Sequence, residues 1–130
     1  MTVNDIMIPF GDFPVVSKKM ILKEALTEMD MANLGLVCII NDNKELIGII
    51  TDGDLRRKLL KVQKPFSSFL VDDVLIHSKR DPVTCSSNDD LKYVVEKMGR
   101  IQIWDLPVLD NEKKLIGLLH LHPAVKKLLE

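Results

Sequence analysis

Apolar residues recur at positions 22, 25, 26 and 29, and again at 91, 94, 95 and 98. The spacing i, i+3, i+4, i+7 lays each set along one face of a helix, so the chain predicts two amphipathic helices with the same buried stripe. Each stripe is followed by two short apolar runs around a polar turn: "LVCII" and "LIGII" about "NDNKE", then "LPVL" and "LIGLL" about "DNEKK". Runs of that length, bounded by Asn, Asp, Glu and Lys, read as paired strands. A short extended segment precedes each helix, at Pro14–Val16 and Pro82–Thr84, and a last short helix closes each half, near Gly53–Leu60 and Pro123–Leu129.

The two halves are copies of one unit. "LKEALTEM" (22–29) aligns with "LKYVVEKM" (91–98) and "NKELIG" (43–48) with "EKKLIG" (112–117), both displaced by 69 positions. Upstream, "FPVVS" matches "DPVTC" and "VNDIM" matches "VDDVL" at a displacement of 68, which places one inserted or deleted residue between. The first repeat is expected at 1–60, a connector, "KVQKPFSSFL", at 61–70, and the second repeat at 71–130. "SNDD" at Ser87–Asp90 is a start signal for the second helix. The fold class is therefore α/β (α+β), in tandem strand-helix-strand-strand-helix repeats. A unit of this size does not bury its sheet alone, and two packed with pseudo-twofold symmetry around a cleft do.

Composition narrows what such a pair does. With 46% hydrophobic and 28% charged residues the chain is globular rather than disordered. A net charge of -1 gives no basic field for nucleic acid or an anionic membrane, and 5% aromatic residues supply no base-stacking platform. The longest apolar run falls far short of the ~20 residues that span a bilayer, and "MTVNDIMIPF" lacks the basic start of a secretory signal. Cys38 and Cys85 have no metal-type or C-x-x-C spacing, and Cys38, inside an apolar run, reads as a small buried side chain. Together these point to a reduced, cytoplasmic protein. Met29 and Met98 fall at equivalent core positions, and Met7, Met20 and Met31 read as fillers of irregular gaps.

Chemistry concentrates in "GIITDGDLRR", Gly48–Arg57. Thr51 and Asp54 form T-x-x-D at a strand-to-helix junction, which fits a capping box in which Thr51 takes a first-turn N–H and Asp54 reaches back. Arg56 and Arg57 then follow at the positive end of the helix, where cations are mildly unfavourable. Helix amides and two guanidinium groups suit an anion, while solvated surface charge is the plainer alternative. In the second repeat His120 replaces Thr51 and Pro123 replaces Asp54, so that half lacks the acceptor. His120 and His122 alternate along an expected strand end and so share a face. No third carboxylate or cysteine stands near them, and no metal is expected. His77 is an isolated linker residue, and Trp104 and Asp105 precede the "LPVL" strand. No nucleophile–base pair, metal triad or phosphate-cradling glycine loop is present, so no catalytic residue is expected.

"LPVLDNEKKLIGLLHLHPAV" and its counterpart "LVCIINDNKELIGIITDGDL" resemble the repeat of a CBS-domain pair (a Bateman module), and the resemblance covers essentially the whole chain. More narrowly, "NLGLVCIINDNKELIGIITDGDLRR" followed by "GLLHLH" resembles the C-terminal pair of sugar-phosphate isomerases of the arabinose-5-phosphate isomerase type. Those enzymes make the precursor of Kdo, the acidic sugar of lipopolysaccharide and some capsules. The resemblance implies a regulatory module that senses a nucleotide or a CMP-sugar such as CMP-Kdo, a catalytic domain elsewhere in the parent protein, and a homodimer formed through the helices. It implies ligand contacts from Thr51, Asp52, Gly53, Asp54, Arg56 and Arg57, from Pro14, Val15 and Val16 at the base pocket, and from His120 and His122. Two alternatives stand beside it: a pair attached to a sugar nucleotidyltransferase or cytidylyltransferase, whose modules share "TDGDxRR", and a dimerisation module that binds nothing.

Overall fold

The computed structural model describes residues 1–130. In chain order it has a 3₁₀ turn at Val3–Asp5, β1 (Ile8–Pro9), β2 (Val15–Ser17), α1 (Leu22–Ala32), β3 (Leu36–Ile40), β4 (Leu46–Thr51) and α2 (Asp52–Lys61). There follow α3 (Phe66–Leu70), a 3₁₀ turn at Val74–His77, β5 (Cys85–Ser86), α4 (Leu91–Ile101), β6 (Asp105–Leu109), β7 (Leu115–His120) and α5 (Leu121–Leu128). No helix is long and apolar enough to cross a membrane.

The chain divides into two compact units that cut across the sequence repeats. One is Phe13–Pro82; the other joins Met1–Asp12 to Val83–Glu130. Each repeat thus gives its opening dozen residues to the unit built by the other. In the first unit β2 runs parallel to β3 (Val15 opposite Cys38) and β3 antiparallel to β4 (Leu36 opposite Thr51). In the second the strand order is β1-β7-β6-β5, with β1 antiparallel to β7 and Ile8 opposite Leu118. Two glycines admit the exchanged segments. A side chain at Gly48 would meet Ser78 Oγ at 2.7 Å, and one at Gly117 would meet Met7 Sδ at 2.5 Å and the Ile8 carbonyl at 3.0 Å.

Each core follows the predicted stripe. Leu22, Ala25 and Met29 of α1 are buried with Val16, Val37, Ile39 and Ile50 of their sheet, and Leu91, Val94 and Met98 of α4 with Leu106, Val108 and Leu119 of theirs. Burying a Leu or Met side chain contributes about 1.5–3 kcal/mol, so this apolar face holds each helix far more strongly than its intrinsic propensity. The repeat extends to backbone detail. Both helices end on a left-handed residue, Asn33 (φ 55°) and Gln102 (φ 59°), and both strand turns carry one, Lys44 (φ 63°) and Lys113 (φ 64°).

Several elements depart from the sequence expectation. The second opening strand is Cys85–Ser86 rather than Pro82–Thr84, and the first is shifted by one, to Val15–Ser17. The cap of α4 is Asp90, whose side chain accepts the Tyr93 N–H at 3.1 Å, while Asp89 accepts the Ser86 N–H at 2.9 Å; Ser87 is not the cap. The connector is structured: α2 runs through Lys61, and α3 buries Phe69 in the core of its unit. Met31 fills no gap and is 76% exposed.

His77, read as an isolated linker residue, is buried against the Phe69 ring and bonds Asp72 through Nε2 at 2.7 Å. Asp72 also holds Lys64 at 2.7 Å, and the ammonium lies 4.9 Å over Phe69.

A candidate ligand-binding corner at the start of α2

The junction of β4 and α2 builds the site. Thr51 ends the strand in extended conformation, and its Oγ1 accepts the Asp54 N–H at 3.1 Å, capping the helix as its sequence position requires. The reciprocal half of the expected box is absent, because the Asp54 carboxylate turns to the Arg57 guanidinium at 2.7 Å instead. Gly53 leaves room for that guanidinium, since a side chain there would meet its two terminal nitrogens at 3.2 and 3.3 Å.

Burial acts to raise the Asp54 carboxyl. The Arg57 and Thr51 hydrogen bonds and the charges of Arg57 and Lys79 outweigh it and hold the group below the usual carboxylate value. Asp54 is therefore an ionised acceptor with its side chain 30% exposed, flanked by cations. Arg56 is exposed and enters no ion pair. A carboxylate that accepts from hydroxyl donors, beside guanidinium groups that take an anion, is the complement of a ribose phosphate.

Lys79 belongs to this corner, and sequence reasoning missed it. Its backbone pairs with Ile49 through N–H to carbonyl bonds of 3.0 and 2.8 Å along the edge of β4. Only the exchange of opening segments brings it there, so no local pattern signals it.

The other predicted residues divide. Pro14 and Val16 are buried and Val15 is half-buried, with the Cys38 N–H donating to the Pro14 carbonyl at 3.0 Å, so Val16 serves the core first. Asp52 turns toward Gly35, where an added side chain would meet its carboxylate at 2.8 Å, and lines a hollow of about 300 Å³ with Asp30 and Asn33.

His120 and His122 belong to the other compact unit. They do not alternate along one strand: β7 ends at His120, and His122 is already in α5. His120 Nδ1 instead meets Asp105 Oδ1 at 2.6 Å, across a β6–β7 register pair. Burial raises the Asp105 carboxyl despite this bond. The repeat-equivalent corner makes no side-chain cap bond, as the replacement of Thr51 by His120 implies. No cluster of three His, Cys, Asp or Glu side chains is placed to hold a metal. The Cys85 thiol, pushed up to about 12 by burial, is a poor nucleophile.

Comparison with known proteins agrees with the fold. The family described as CBS domain matches residues 3–61 and 71–122. A protein of uncharacterised function from Chlamydia muridarum is 33% identical over 127 residues, covering 95% of this chain and 38% of its own length. Arabinose 5-phosphate isomerase KdsD of Francisella tularensis is 27% identical over 126 residues, covering 97% of this chain and 37% of the isomerase. The chain therefore spans less than two-fifths of these relatives. Among solved structures, CBSX2 in complex with AMP is similar with a TM-score of 0.83 and 26% identity, over 98% of this chain and 96% of that one.

Proposed function

The chain belongs to the CBS-domain family, and from that premise we propose that it is a regulatory module sensing a nucleotide at the Thr51–Asp54–Arg57 corner. The observation that carries the reading is the ionised, partly buried Asp54 held between a helix cap and a guanidinium. In the bound state Asp54 accepts from ribose hydroxyls, and Arg56, Arg57 and Lys79 face the phosphate or another acidic group. CBSX2, structurally similar over nearly the whole chain, binds AMP. The loss of the Thr and Asp positions in the second repeat argues for one principal ligand per chain.

Within this reading the parent protein is an isomerase of the arabinose-5-phosphate type, supported by the Francisella relative, whose additional length would hold the catalytic domain. The effector is then an acidic sugar nucleotide such as CMP-Kdo, a product of the same route. It regulates only if it binds one arrangement of the module more tightly than another.

A second reading has its own support: the Asp54–Arg57 pair satisfies both groups internally, as a cap in a module that binds nothing would. A thermal-shift panel with AMP, ATP, CMP, CMP-sialic acid and CMP-Kdo separates them. A ligand at 100 times its Kd stabilises by ~2.7 kcal/mol, a shift of several degrees at this size. A shift with any nucleotide that is lost in Asp54→Ala supports the sensor, and CMP-sugar preference supports the pathway assignment. A shift with adenine nucleotides alone removes that assignment, and no shift at all leaves the non-binding module.

A further inference from the structure

α2 stands apart from the other long helices. α1, α4 and α5 each bury at least one residue, and α2 buries none. From Leu55 to Val71, along the rest of α2 and through α3, the chain carries five cations, Arg56, Arg57, Lys58, Lys61 and Lys64, and no carboxylate side chain. A net charge of -1 over the whole chain conceals this concentration. Arg57 and Lys64 are paired with Asp54 and Asp72, whereas Arg56, Lys58 and Lys61 enter no ion pair. Every residue from Leu59 to Ser67 is exposed, including four large apolar ones: Leu59, Leu60 (81%), Val62 and Phe66 (59%). Leu59 and Phe66 line one apolar hollow of about 70 Å³ with Leu26, Leu55 and Lys58, so the two ends of the stretch share a surface. Lysines near the end of α2 suit its negative pole, but that gives no reason to expose four large apolar side chains beside them.

We propose that this ridge, Leu59–Phe66, seats on an anionic phospholipid bilayer, with Leu60, Val62 and Phe66 entering the interface and Lys58 and Lys61 facing lipid phosphates. Charge complementarity selects the partner. A second copy of the same ridge would set cation against cation, which is strongly unfavourable across an interface. A folded acidic partner needs a cleft shaped to Leu60 and Phe66, while a bilayer takes projecting side chains of any outline. Apolar insertion and attraction of the lysines act together, and neither alone holds a protein firmly on a membrane. The attachment is therefore reversible and weakened by salt. The ridge lies within the unit Phe13–Pro82 and uses none of Thr51, Asp54 and Arg57, so it is independent of the nucleotide reading.

The test is co-sedimentation of the 130-residue chain with vesicles of phosphatidylcholine alone and with vesicles containing about 30% phosphatidylglycerol. Lys61→Glu and Leu60→Ser are compared with wild type, with helix content checked by circular dichroism. Wild type is expected to bind the anionic vesicles at least ~10-fold more tightly than the neutral ones, and more weakly as salt is raised. Lys61→Glu, which removes one cation and adds one anion, weakens binding by ~30-fold. Leu60→Ser, at a position 81% exposed, weakens it by ~5-fold. No binding to the anionic vesicles, equal binding to both kinds, or Lys61→Glu binding like wild type overturns the proposal. So does undiminished binding by Leu60→Ser, which would leave charge as the sole attraction. A chain that ignores vesicles but self-associates until Leu60→Ser is introduced overturns it too, and assigns the ridge to a protein contact. Nucleotide-induced thermal shifts in both variants are expected to match wild type, so failure here is distinguishable from failure of the ligand site.

Discussion

The Arg57 guanidinium lies 2.7 Å from the Asp54 carboxylate, one turn along α2. This pair accounts for half of the oddity of two arginines at a helix start: Arg57 faces a carboxylate that compensates it, and Arg56 does not. With Arg57 57% exposed, the pair contributes no more than ~0.5 kcal/mol, too little by itself to explain the arrangement.

The cap beside it is worth more. Thr51→Ala removes the acceptor of the Asp54 N–H and is expected to destabilise the chain by ~1 kcal/mol in urea denaturation. Thr51→Ser keeps the oxygen and should stay within ~0.5 kcal/mol of wild type. Equal losses in both would mean that the methyl group, not the cap, stabilises this junction.

Two carboxylates define an acid limb. Asp54 is lowered by its partners against burial, and Asp72 is lowered by the Lys64 and His77 hydrogen bonds. A depressed folded-state pKa gives stability that is fully present above the ordinary value of 3.8 and lost as pH falls through the folded value. Asp105 runs the other way. Burial raises it, so the folded state holds the extra proton, and stability is gained as pH falls through its raised value toward 3.8. Denaturation midpoints followed from neutral to acid pH should fall less steeply below 3.8 in Asp54→Asn. In Asp105→Asn the compensating gain above 3.8 should disappear.

Glycine replacements separate close approach from free space. Gly117→Ala forces a methyl group into Met7 and the Ile8 carbonyl and is expected to cost ~1–3 kcal/mol. Gly99, inside α4, has nothing within 4 Å of an added Cβ, so Gly99→Ala should stabilise by ~0.5–1 kcal/mol. A tolerated Gly117→Ala would contradict the packing of the exchanged segment against β7.

His77→Ala should be among the costlier single changes. It empties a site 3% exposed, removes the ring contact with Phe69 and leaves Asp72 without one of its two partners. A loss of ~2–4 kcal/mol is expected, read by urea denaturation. A loss below ~0.5 kcal/mol would place the residue on a surface that bears no load.

What was legible in the sequence was what repeats locally. The buried stripes at 22, 25, 29 and 91, 94, 98, the strand pairs and the Thr51 cap all depend on neighbours within one or two turns, and all are found. Part of what escaped depends on distant chain segments. The exchange of opening segments and the placement of Lys79 along β4 have no local signature, because the partner of each comes from another part of the chain. His77 escaped for another reason: its partners Phe69 and Asp72 are near in sequence, but the stretch that joins them has no helix or strand period to show which side chains turn inward. His122 was misplaced for a simpler reason: "HLH" has the period of a strand, but the helix begins one residue after His120.

The most direct test of the central claim is a calorimetric titration of AMP and of CMP-Kdo into the chain and its Asp54→Ala and His120→Ala variants. Saturable binding near one site per chain, abolished by Asp54→Ala and largely kept by His120→Ala, is the predicted result. Binding that survives Asp54→Ala unchanged, or no heat from either ligand on folded protein, would contradict it.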